Sequence, residues 1–139
     1  MLRYKQTPVG RRQAMINGAY EPWVRAFLDM EERATVLRNW ESVVVPGLLQ
    51  TEAYARGVLR GARPTDSDAA VEQLVTARMA RQDIWEREDP EPPVLSAILG
   101  EAVLRQCVGG SLVMYEQLSR LVQAAESLAR AQCSNDITP

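Results

Sequence analysis

Histidine is absent from this 139-residue chain. Its absence removes the commonest general base near neutral pH and the usual partner of a serine or cysteine nucleophile. Carboxylate chemistry stays open, but there is no GxGxxG, no phosphate-binding loop and no paired acid motif with supporting context. Cysteine is scarce. Cys107 and Cys133 stand in no metal-binding spacing, so neither metal nor cofactor is expected, and free thiols in a reducing cytoplasm are. Lysine occurs once, at Lys5; every other basic residue is arginine, and the net charge of −2 rules out a surface built as a whole for nucleic acid. No apolar run approaches the ~20 residues that span a bilayer, so no membrane partner is expected. The opening "MLRYKQTPVGRRQ" has charge without the apolar stretch of a secretory signal.

What is present reads as one domain's worth of helix-rich chain. Residues 1–19 carry Arg3, Lys5, Arg11 and Arg12 with no acidic residue, which predicts a flexible basic arm. Glu21-Pro22 opens a helix, proline being favoured in a first turn. Trp23, Phe27, Met30 and Ala34 recur there at helical spacing as an apolar stripe, with Glu31 at its edge. "TVLRNWESVVV" is rich in β-branched residues and predicts an extended segment or short strand. Pro46-Gly47 ends it, because proline disfavours helix at the residue before it. Leu48, Ala55, Val58 and Leu59 then share a helical face, unless Thr51 caps a shorter helix from Glu52.

A helix is predicted from about Asp68 to Arg87, capped by Asp66 or Ser67. Arg78 and Gln82 fall inside its apolar stripe of Val71, Leu74, Val75 and Trp85, with Arg81 at the margin. A guanidinium in such a stripe must be paired, reach solvent or bind something. Three readings follow: an internal ion pair with Glu31 or Glu101, an anion or peptide carboxylate held by Arg78 and Arg81, or a helix end that is simply exposed. "VLSAIL", Val94 to Leu99, predicts a short buried strand. Residues 111–130 predict the cleanest helix, with Met114, Leu118, Leu121, Val122, Ala125 and Leu128 on one face. The polar end, residues 131–139, predicts a disordered tail. The expected fold is thus mainly α with a minor β component, a single helix-rich domain with one or two short strands.

"LRNWESVVVPGLLQTEAYARGVLRG" resembles the hallmark of a domain of unknown function that follows an XRE-type helix-turn-helix in actinobacterial, antitoxin-like transcriptional regulators. The motif covers Val45, Pro46, Gly47, Leu48, Leu49, Gln50, Thr51, Tyr54 and Ala55. The likeness continues in order. Glu31 and Ala34 fit an upstream "E-x-x-A". Arg78, Arg81 and Gln82 fit an "R-x-x-R-Q" helix, and Glu101, Leu104 and Arg105 fit an "E-x-x-L-R" after a strand. Gly109 and Gly110 with Met114 and Gln117 fit a "GG…M…QL" helix start. It spans residues 20–130. Two departures stand out: there is no room for a helix-turn-helix before residue 20, and "AQCSNDITP" replaces the strands expected after the last helix. The resemblance implies an effector domain without its own DNA-binding part. It is expected to act by binding a protein partner or a full-length regulator rather than by catalysis, with no direct nucleic-acid contact. If strands are missing, the edge of strand 94–99 is left unpaired, which favours self-association. A small anionic-ligand sensor is the alternative, and a small enzyme on the same scaffold a more distant one.

Overall fold

The computed structural model describes residues 20–135, and side chains as far as residue 127. The basic arm foreseen for residues 1–19 lies outside the described residues. Helix α1 spans Pro22–Arg33, with proline in its first turn as the sequence requires. Strand β1 spans Val36–Glu41. After a bend, a single 3-10 turn at Gly47–Leu49 leads into α2, Glu52–Ala62. Thr51 is the N-cap of α2, its hydroxyl accepting from the Tyr54 N–H at 3.3 Å, so the shorter helix is the one that forms.

Helix α3, Asp68–Ala80, is capped by Ser67, whose hydroxyl accepts from the Ala70 N–H. It does not run to Arg87. At Arg81 the chain tightens into a 3-10 stretch, Arg81–Glu86, that turns the Arg81 and Gln82 side chains toward the junction after β1. Strand β2, Val94–Leu99, follows, then the short α4, Glu101–Arg105. Gly109 and Gly110 both take positive φ, +70° and +98°, a region glycine enters without a Cβ clash. They aim the chain into α5, Ser111–Asn135. This helix continues past residue 130 into the segment expected to be disordered; Ala131 and Gln132 are good helix formers.

The architecture is mainly α with a small sheet. β1 and β2 pair in parallel, Val36 opposite Val94 through Glu41 opposite Leu99. One core gathers Val45, Leu49, Tyr54, Leu95, Val103 and Met114; a second joins Leu59 to Val71, Leu74 and Val75. Two expectations about burial are corrected. The α1 stripe does not face the core: Trp23, Phe27 and Met30 are exposed, and α1 buries Leu28 and Glu31 instead. β2 is not a buried strand, since only Leu95 is buried along it. The exposure along β2 follows from the sheet having just two strands, with no described element over its outer face.

Candidate functional site

The junction "VVVPGLLQT" enters the core without strand or long helix, so its backbone groups have few ladder partners and need others. Side chains from three directions supply them. The Val45 N–H donates to the Tyr54 hydroxyl at 3.3 Å, and the Val45 carbonyl accepts from Gln50 Nε2 at 2.7 Å. Gln82 Nε2 donates to the carbonyls of Gly47 and Gln50. Trp85 Nε1 donates to Leu48 O. Gln117, fully buried, accepts from the Thr51 N–H at 2.7 Å and donates to Leu49 O at 2.8 Å. Pro46 fixes the turn, and Leu48, Leu49 and Ala55 fill the core around it. The Arg81 guanidinium packs closely over Gly47: a Cβ there would stand 3.0 Å from it, so the guanidinium would have to give by a few tenths of an ångström.

The charged cluster is only partly the one anticipated. Arg81 makes a two-pronged pair with Glu31, Nε to Oε1 at 3.0 Å and Nη2 to Oε2 at 2.8 Å. Both side chains are well buried, 13% and 6% exposed. Burial opposes the charge on Arg81, but the hydrogen bonds and charge of Glu31 outweigh it and hold its pKa above the ordinary value. Arg78 lies beside this pair and donates to Gln50 Oε1 at 3.0 Å. Glu101 is not part of the cluster. It sits exposed at the start of α4 and pairs with Arg105 one turn on, at 2.6 Å. The strand before it delivers it to the outside of the molecule.

Sequence reasoning missed the role of Arg87, placed at the end of the predicted Asp68–Arg87 helix. Its guanidinium donates to the carbonyls of Glu32, Ala34 and Glu91, tying the end of α1 to the loop before β2. It also missed the work of Gln50 and Gln117, although a glutamine on an apolar helix face signals a buried backbone partner.

The opposite side of the molecule is unlike this. Val36, Trp40, Val94 and Ile98 lie on one face of the sheet and are all exposed, Trp40 by 81%. Beneath β2 an apolar groove of about 380 Å³ is lined by Leu95, Ala97 and Leu99 of the strand and by Leu118, Leu121 and Val122 of α5, among others, with no β1 residue. The α5 stripe therefore splits: Met114 is core, while its later turns line an open groove. The ladder ends with Val94 N–H to Thr35 O and Gly100 N–H to Glu41 O. Backbone groups alternate along a strand, so those of Leu95, Ala97 and Leu99 point to the free edge. Cys107 is exposed with a free thiol. No described helix is long and apolar enough to cross a membrane.

A family model described as a domain of unknown function, DUF5753, matches residues 24–130. No curated protein and no solved structure matches the chain.

Proposed function

The chain belongs to the DUF5753 family, and on that premise we propose that it is an interaction domain that takes an extended segment of a protein partner onto the free edge of β2. The observation that carries this reading is the unfinished parallel sheet. Parallel strands are ordinarily covered on both faces. Here the edge groups of Leu95, Ala97 and Leu99 are unclaimed among the described residues, and the groove beside them is apolar. An added strand would gain main-chain hydrogen bonds from that edge and seat alternate apolar side chains in the groove. The partner is a segment with apolar residues at every second position. Following the motif resemblance, the setting is a cytoplasmic, antitoxin-like transcriptional regulator of the actinobacterial XRE type, and the partner is a full-length regulator or a protein encoded beside it. DNA contact and catalysis are no part of this role.

The test is Ala97→Pro. Proline removes an edge donor while leaving the β1–β2 ladder intact. The chain and the variant are run by size-exclusion chromatography with light scattering, alone and with co-expressed products of adjacent genes. The reading expects a complex, with a second copy or with a neighbour, that the variant loses while keeping its helical circular dichroism. A monomer that ignores every neighbour, or a complex indifferent to Ala97→Pro, overturns it.

A further inference from the structure

On the other side of the molecule, a cavity of about 210 Å³ lies between α1, the end of β1, the junction and the end of α3. Four charged side chains line it: Glu31, Glu41, Arg78 and Arg81. Two of them cancel, because Arg81 and Glu31 hold each other by both prongs. The remaining two have no ionic partner among the described residues. Arg78 is half-buried, and its only hydrogen bond to a described residue goes to the neutral Gln50 Oε1. Gln50 cannot turn away, since its Nε2 is engaged by Val45 O. Arg78 Nε is shut from solvent with no hydrogen-bond partner among the described residues. Glu41, also half-buried, ends β1 at the same cavity.

A half-buried guanidinium answered only by an amide is an incomplete arrangement, and a carboxylate completes it with charge-assisted, fork-shaped hydrogen bonds. A lone carboxylate across the same small cavity asks for the opposite charge. We propose that this cavity binds a small zwitterion of the amino-acid class, its carboxylate on Arg78 and its ammonium on Glu41. Asn39 adds amide hydrogen-bonding capacity, and Phe27 brings an aromatic ring to the rim. The volume is that of roughly seven waters at ~30 Å³ each, which suits a small amino acid. The site does not depend on the sheet edge, so it stands whether or not a partner docks there. Because α1 is joined directly to β1 and is tied by Glu31–Arg81 to the 3-10 stretch that follows α3, ligand held by Arg78 of α3 and Glu41 of β1 would tighten the contact between these elements.

The experiment is thermal unfolding and titration calorimetry of the full chain with glycine, L-alanine and L-serine, beside acetate, propionate and alaninamide. The expected result is a saturable rise in Tm and a binding heat with at least one amino acid. Its matched carboxylate and the amide, each lacking one charge, should bind at least tenfold more weakly. Arg78→Gln should abolish the response. Should that variant not fold, Glu41→Gln decides: the preference for amino acid over plain carboxylate should fall toward one. Silence across the panel, equal binding of acetate and alanine, or a preference unchanged in Glu41→Gln overturns the assignment.

Discussion

The junction around Gly47 and the sheet around Trp40 are built on opposite terms. At the junction a dry, irregular backbone is answered group by group: Tyr54, Gln50, Gln82, Trp85 and Gln117 each hold a named carbonyl or N–H. At the sheet an apolar face and a row of backbone groups are left open. Buried polar groups left unmet are costly, so the first region is a closed structural unit whose parts are mutually required. The second has the features of a surface completed by something else. Substitutions in the first should therefore act on folding, and those in the second on association.

The largest effect is expected at the buried ion pair. Arg81→Ala or Glu31→Ala strands one charge in a dry site and should destabilise by about 3–5 kcal/mol, enough to unfold a marginal domain; urea unfolding reads it. A variant as stable as the wild type would remove the pair from the account of the fold. Gln117→Leu comes next. It leaves the Thr51 N–H and the Leu49 carbonyl unmet, which should lower stability by about 2–4 kcal/mol. Gln82→Leu should act alike on Gly47 and Gln50, and the midpoint of chemical unfolding checks both.

The contrast sharpens at Trp40→Ser. Stability should change by no more than about 0.5 kcal/mol, since the ring is exposed. Association measured by light scattering should fall if the sheet face contributes. The smallest effect is at the surface pair of α2 and α3. The hydrogen bonds from Arg56 lower the Glu72 carboxyl below its ordinary value of 4.5. The pair's contribution is therefore present above about pH 4.5 and is lost as pH falls through the lowered pKa. Glu72→Gln at pH 7 should shift Tm by less than about 2 °C, because exposed pairs contribute little.

Much of this contrast was legible in the sequence, and the rest was not, for physical reasons. Helix and strand type followed from local signals: Pro22, the Thr51 and Ser67 caps, and the short apolar run Val94–Leu99. Arg78 and Gln82 in the apolar stripe, and Arg81 at its margin, announced buried partners: Gln50 and the junction carbonyls answer the first two and Glu31 the third. Glu101 looked equally eligible because spacing along the chain does not say which side of the fold a strand delivers its successor to. The exposure of Trp23, Phe27 and Trp40 was hidden for a related reason. An apolar stripe marks a surface that wants covering, but not whether the same chain covers it. The break of α3 at Arg81 was also invisible, since it serves contacts with a junction some 30 residues earlier in sequence.

The most direct measurement is residue-resolved amide exchange along β2 in the full chain under dilute, monomeric conditions. The account predicts alternation: slow exchange at Ser96, Ile98 and Gly100, whose N–H groups face β1, and fast exchange at Leu95, Ala97 and Leu99 on the free edge. Equal protection of both sets in the monomer would mean that the edge is already occupied, and would contradict a docking surface there.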